Sequence, residues 1–255
     1  MKIFIKKNLG QHFLTNKKII STIISSMNIS ENDVIIEIGP GTGALTSHLE
    51  KKAKELHIIE IDTNLIPILK TKFDFSNKVH IYNQDILKVN INEITNNNKN
   101  IRIIGNIPYK ISTKLIFNLT KFKRNIKDIF LMLQKEVVLR MAANKSTKNY
   151  GRLSVTAQCN YEIIQIIENI PPQCFYPKPK VNSTFIKLLP NENKYKIKNY
   201  KTFEQIIREA FSQRRKKITK LLNKLNLKIK EIDPNKRPED LSIDEYILIS
   251  NSTKD

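Results

Sequence analysis

Cysteine is scarce in this sequence of 255 residues: only Cys159 and Cys174 occur, with no histidine near either. That scarcity excludes a disulfide scaffold and a zinc site of ordinary spacing, so no metal is expected and a reducing cytosol is the default. Long hydrophobic runs are missing as well. No continuous apolar stretch could span a bilayer, and the one within residues 1–7 is far too short for a signal sequence. A soluble, cytoplasmic chain without a membrane partner is expected. Acidic residues are in short supply, with 24 Asp and Glu against 44 Lys and Arg, a formal charge of +20. Lysine outnumbers arginine 36 to 8, and Asn and Ile are abundant, which compositional bias alone could produce. Bias does not produce asymmetry. Residues 31–100 carry eight Lys or Arg against ten Asp or Glu, residues 101–200 eighteen against five, and residues 201–230 ten against two. A near-neutral early segment beside basic later ones points to a polyanion, most simply nucleic acid, bound away from the first site.

What is present, at 40% hydrophobic residues, suffices for one substantial core and a small second domain. The chain is organised around Gly105-Asn106-Ile107-Pro108-Tyr109, which follows the apolar run 101–104. Asn106 offers a side-chain carbonyl, Pro108 directs the turn and frees a neighbouring backbone carbonyl, and Tyr109 presents a flat face for a base. Two accepted N–H bonds would hold an exocyclic amine and draw its lone pair toward an electrophile, with the base gripped by stacking. Ordinary turn chemistry accounts for the same residues taken alone.

Upstream, the β-branched run 34–38 reads as a buried strand that ends in Gly39-Pro40-Gly41-Thr42-Gly43 and passes into a helix over 44–52. Strand, glycine turn and helix form a nucleotide-binding arrangement, because glycine permits close approach of a ligand to the backbone. Gly39, Gly41 and Ala44 also satisfy the relaxed dinucleotide fingerprint. The next strand, 56–61, ends in Glu60, whose carboxylate is placed to accept from two ribose hydroxyls. That role serves NAD and S-adenosylmethionine alike. Asp85 follows the strand 79–82 and reads either as an acceptor for an adenine amine or as a helix cap. Because strands and helices alternate, parallel pairing would gather Gly39, Glu60, Asp85 and Asn106 on one rim.

Further along, a strand at 129–133, helix and strand material over 153–170 and a final strand at 181–189 complete the sheet. The proline-dense stretch 171–180 fixes an extended loop on which Phe175 is placed either to close over a base opposite Tyr109 or to pack inward. Residues 191–198 read as a linker. Helical periodicity then begins at Phe203, and Arg214, Arg215, Lys216 and Lys217 fall at the start of a helix running to Leu225. Cations are unfavourable there unless an anion such as a phosphate backbone compensates. A last helix starts at Ser242.

With these pieces placed, the sequence closely resembles the ribosomal RNA adenine dimethyltransferases that modify small-subunit RNA. The likeness covers nearly the whole chain and rests on Leu9 to Leu14, Glu37 to Gly43, Gln84-Asp85, Gly105 to Tyr109, Tyr150 to Ser154, Phe175 with Pro177 to Val181, and Phe211 to Lys216. It implies a Rossmann-like class I methyltransferase domain over 1–190, an α/β sheet with helices on both faces, and an all-helical RNA-binding domain over 191–255. It implies that His12, Leu14, Gly39, Gly41, Glu60, Asp85 and Asn106 bind S-adenosylmethionine, and that Asn106, Pro108, Tyr109 and Phe175 serve catalysis. Lys110, Arg214, Arg215, Lys216 and Lys217 would meet RNA. His12 and Lys110 stand where many relatives carry Asn. The implied product is dimethyladenosine at two adjacent positions in the 3′-terminal hairpin of 16S rRNA, made by a monomer on an immature 30S particle during ribosome biogenesis. Enzymes that methylate 23S rRNA and confer antibiotic resistance share the Asn-Ile-Pro-Tyr stretch and rank second. An assembly factor acting mainly by binding is the alternative from another class, and a dinucleotide oxidoreductase comes last.

Overall fold

The computed structural model describes Lys6, residues 9–191 and residues 194–253. Apart from Lys6, the N-terminal stretch 1–7 lies outside the described residues, as do Asn8 of the arm and residues 192–193 of the expected linker. The strands are β1 (Phe13–Leu14), β2 (Val34–Ile38), β3 (Glu55–Ile59), β4 (Val79–Tyr82), β5 (Ile101–Asn106), β6 (Ile126–Gln134), β7 (Tyr161–Ile170), β8 (Phe175–Tyr176) and β9 (Ser183–Pro190). Seven of them form one sheet in the order β4-β3-β2-β5-β6-β9-β7, and β1 pairs separately with β8. From β4 to β6 all pairing is parallel, while β9 runs antiparallel to β6. Strand β2 is buried at every residue, as a strand covered on both faces requires, and for that reason it reads as an apolar run interrupted only by Glu37. Helix Lys17–Ser26 buries Ile20, Ile23 and Ile24 on one stripe, and the Asn16 side chain caps it by accepting from the Ile19 amide. The helix expected over 44–52 contracts to Thr46–Leu49 with turns on either side.

Parallel pairing carries the carboxyl ends of β2, β3, β4 and β5 to one edge, as the alternation of elements predicts. The register there depends on Gly105, which lies opposite Ile38. A Cβ at Gly105 would stand 2.8 Å from the Ile38 carbonyl oxygen and 2.5 Å from Ile107 Cδ1. Gly105→Ala should therefore displace the β5 end that carries Asn106. Loss of methyl transfer exceeding the loss of thermal stability, read by turnover and melting on the same preparation, is the expected result.

At the opposite edge of the sheet Arg102 is only 2% exposed. Its Nε and Nη2 donate to the two carboxylate oxygens of Asp128 at 2.8 and 2.9 Å, Nη1 donates to Asp33 at 2.7 Å, and Nη2 also reaches the Met27 carbonyl at 2.6 Å. This fork joins β5, β6 and the segment before β2. Nothing in the sequence analysis singled it out.

The chain forms two compact units, one running up to Val138 and including Ile163–Pro190, the other comprising Leu139–Glu162 and the chain from Asn191 onward. A boundary at 190 alone is thus corrected by an earlier excursion. Tyr150, Val155 and Cys159 from that excursion share a buried cluster with Phe203, Ile207 and Tyr246, and burial of apolar surface decides the grouping. The Tyr150 hydroxyl donates to the Leu241 carbonyl at 2.9 Å. Helix Ile243–Ser252 starts with a reciprocal cap between Ser242 and Glu245, as expected from Ser242.

Candidate functional site

The rim of the parallel strands opens into a cleft lined by His12, Gly39, Gly41, Glu60, Asp85, Asn106, Pro108, Tyr109 and Lys110. These are nine of the residues singled out from the sequence. Gly41 adopts φ of +59°, and a Cβ there would stand 2.7 Å from the Phe13 ring. Glycine is thus needed twice over, for the left-handed backbone and for the close approach of the arm. The Gly41 amide donates to Glu60 Oε2 at 3.2 Å, and the Asp62 amide to Oε1 at 2.8 Å. Burial pushes the Glu60 carboxyl up, against the pull of those backbone bonds. Each oxygen keeps acceptor capacity for a ribose hydroxyl. Asp85 is oriented by the Leu87 amide, which donates to Oδ1 at 3.0 Å. Ile61, 48% exposed, and Ile86 add apolar lining between these carboxylates.

The N-terminal arm is fastened over this cleft by contacts that sequence reasoning did not find. Gln11 Nε2 donates to Asp62 Oδ2 at 2.8 Å, and Lys6 Nζ meets Oδ1 at 2.6 Å. Burial would raise the Asp62 carboxyl, but the bonds from Lys6 and Gln11 outweigh it and hold the group below the usual range. The signal lay in Gln11 and Asp62 themselves, yet nothing local links residues 51 positions apart.

Asn106 ends β5, and its Nδ2 donates to the His12 carbonyl at 2.7 Å. A carbonyl can only accept, so this contact sets which way the amide points and leaves Oδ1 as an acceptor. Pro108 O accepts from the Ile111 amide at 3.1 Å, so the backbone acceptor beside Asn106 is the Ile107 carbonyl that precedes the proline. The Tyr109 hydroxyl bonds Ser183 Oγ at 3.1 Å, and burial pushes its pKa up, keeping it neutral. The His12 ring lies 5.5 Å from Tyr109 at 32°. Its Nδ1 is 2.7 Å from the Pro177 carbonyl, so Nδ1 carries the proton.

Two expected residues stay out of the cleft. Phe175 is 3% exposed and belongs to the hydrophobic core. Its expected closure opposite Tyr109 is corrected to inward packing, because β8 pairs Phe175 with Leu14 on the core side of the ribbon. Leu14 is buried in the same core, bordering a small cavity with Glu37, Gly39 and Asn106.

Glu37 is the ionisable group that the reading of individual sites overlooked. It is 2% exposed within β2, and burial pushes its carboxyl up to about 7, opposed by the Thr46 hydroxyl that donates to Oε2 at 2.6 Å. Because the folded value lies above the unfolded one, the protonated form favours folding. Its contribution is complete below the unfolded carboxylate range and is lost as pH rises through about 7. Denaturant titrations should show stability declining from pH 5 to pH 8, with the decline reduced in Glu37→Gln. Equal slopes in both proteins would remove Glu37 as the source.

In the second unit the basic cluster does not open a helix. Arg214 to Lys216 occupy the turn after helix Tyr200–Ser212, before helix Thr219–Lys224. Arg214 and Arg215 lie just beyond a helix carboxyl end, where cations are favourable, whereas Lys216 and Lys217 precede the N-cap Ile218 of the next helix. Arg214 is paired with Glu239, and its Nη2 donates to the Lys148 carbonyl at 2.8 Å. It serves to hold the loop before helix Arg152–Asn160. Lys217 Nζ donates to Asn235 Oδ1 at 2.8 Å. Arg215 and Lys216 are exposed.

The model of the ribosomal RNA adenine dimethylase family matches residues 4–255. Ribosomal RNA small subunit methyltransferase A of Francisella tularensis subsp. novicida (strain U112) is 41% identical to this chain over 254 residues, 96% of each chain. Among solved structures, a dimethyladenosine transferase from Plasmodium falciparum matches with a TM-score of 0.79 at 28% identity, covering 93% of this chain and 96% of the other. The 23S rRNA methyltransferase ErmE matches at 0.65 with 20% identity over 94% and 99%, a likeness of fold alone. With a family match that runs almost from end to end, over a parallel sheet whose rim carries the Gly39 turn and the Asn106 stretch, the chain belongs to the ribosomal RNA adenine dimethylase family.

Proposed function

We propose that this chain dimethylates the N6 amines of two adjacent adenosines in the 3′-terminal hairpin of 16S rRNA, acting as a monomer on an immature 30S particle. The observation that carries the reading is Asn106, whose amide is oriented by the His12 carbonyl with Oδ1 left to accept. Oδ1 and the Ile107 carbonyl receive the two N–H groups of an exocyclic amine, and Tyr109 stacks on the base. S-adenosylmethionine, when bound, supplies a methyl group on an electrophilic sulfonium. The residues present fit it: the backbone of Gly39 and Gly41 lines the cleft, Glu60 receives the ribose hydroxyls and Asp85 the adenine amine. Alignment and exclusion of water are the protein's part, and no strong general base is required.

Incubating unmodified small-subunit particles with labelled cofactor and mapping the methylated nucleosides tests this reading, with large-subunit RNA as control. Label confined to large-subunit RNA would favour the second assignment, and binding without label would favour an assembly factor. Glu60→Ala should raise the calorimetric Kd for the cofactor by about 10-fold or more, because its bonds are made to a charged acceptor. An unchanged Kd would detach Glu60 from the ribose. Reversing Arg215 and Lys216 to Glu should weaken RNA binding and flatten its dependence on salt, while Arg214→Glu should chiefly lower the melting temperature. Identical salt slopes would show that the turn does not touch phosphate.

A further inference from the structure

We propose that Tyr176, with Lys178 and Lys180 beside it, is a stacking platform for the nucleotide next to the target adenosine. The inference rests on the reading of this chain as an RNA methyltransferase and assigns part of its RNA contact.

Tyr176 lies on the short antiparallel ribbon of β1 and β8. Phe13 lies opposite Tyr176, and Leu14 opposite Phe175. Directly opposed residues of an antiparallel pair put their side chains on one face, and successive residues alternate. Leu14 and Phe175 are both buried in the core, which fixes the inner face. Phe13 and Tyr176 therefore share the outer one. Phe13 lines the cleft and lies against Gly41, while Tyr176 is 65% exposed. The segment is tied to the cleft as well, because His12 donates to the Pro177 carbonyl and stands beside Tyr109.

A single exposed ring is ordinary on a protein surface, so what distinguishes Tyr176 is its setting. Lys178 and Lys180 are exposed and alternate with Pro177 and Pro179, whose fixed φ stiffens the segment and limits the entropy lost on binding. A ring face next to two cations suits single-stranded nucleic acid, in which bases stack and phosphates pair with the lysines. A neighbouring base held on Tyr176 would keep the backbone in place while its neighbour occupies the cleft.

The test uses the full chain and two measurements. Fluorescence anisotropy follows a labelled single-stranded oligoribonucleotide carrying two adjacent adenosines, and steady-state methylation follows unmodified small-subunit particles. Tyr176→Ala should weaken oligonucleotide binding about 10-fold, as loss of one base–aromatic stack does, whereas Tyr176→Phe should stay within about twofold of the parent. The KM for particles should rise with kcat retained, and the cofactor Kd should not move. Lys178→Ala with Lys180→Ala should lower the slope of log affinity against log salt by about 1.4, the share of two phosphates on a single strand. The proposal is overturned if Tyr176→Ala binds RNA like the parent, or if Tyr176→Phe is as weak as Tyr176→Ala. A parent protein that methylates no small-subunit RNA would defeat the functional reading. Weaker oligonucleotide binding by Tyr176→Ala in that case would still support the platform.

Discussion

Asn106→Ala should lower methyl transfer at saturating cofactor by about 100-fold, the scale on which one preorganised polar group at a reacting centre is felt. The amide has two tasks that the structure separates. Its Nδ2 holds the His12 carbonyl at 2.7 Å, and its Oδ1 is the acceptor proposed for the target amine. Alanine removes both, so the arm must be monitored independently. Cofactor Kd and RNA affinity should each stay within a few-fold of the parent if the loss lies in the chemical step, because an interaction made mainly in the transition state lowers kcat. Asn106→Asp sharpens the test. A carboxylate still accepts but cannot donate to the His12 carbonyl, and two acceptors then face one another. It should be impaired like alanine while also loosening the arm. Full turnover by Asn106→Ala would dismiss the central assignment.

The second large effect is one of stability. Arg102→Met should destabilise the sheet unit by about 3–5 kcal/mol, because it leaves Asp33 and Asp128 buried without their cation. Asp128 loses a two-pronged pairing with Nε and Nη2, and the Met27 carbonyl loses a donor. Lys127 also reaches Asp33 at 3.2 Å and Lys187 lies 3.8 Å from Asp128, so some compensation remains at the surface. Arg102→Lys should recover only part of the stability, since an ammonium cannot reproduce the planar fork. Replacing Arg102, Asp33 and Asp128 together by apolar residues of similar volume should recover more than Arg102→Lys does, as no charge is then stranded. Chemical denaturation followed by circular dichroism reads all three variants. A loss below about 1 kcal/mol in Arg102→Met would mean that the carboxylates find water or lysine instead.

The parallel half of the sheet and its rim were legible in the sequence because their causes are local. A β-branched run, a glycine turn and a following helix lie within a dozen residues of one another, and alternation of such units dictates parallel pairing. That logic was enough to gather Gly39, Glu60, Asp85 and Asn106. The identity of the cofactor and of the RNA came from the resemblance instead, since Glu60 taken alone serves NAD equally well. Only the tertiary structure decided which side chains of a short strand face the core. Phe175 and Tyr176 are neighbours, and a shift of one residue in pairing would exchange their faces, so no local pattern could assign the exposed ring. The same holds for charge. Arg214 and Arg215 look alike in sequence, but Glu239 and the Lys148 carbonyl, brought near by folding, engage the first, while the second is exposed. Arg102 sits in an apolar strand, where its use depends on two carboxylates 69 and 26 positions away. Leu139–Glu162 joins the helical unit because Tyr150, Val155 and Cys159 bury their surface there. Periodicity and turn chemistry act over a few residues, whereas burial and ion pairing are settled between segments that only the completed fold brings together.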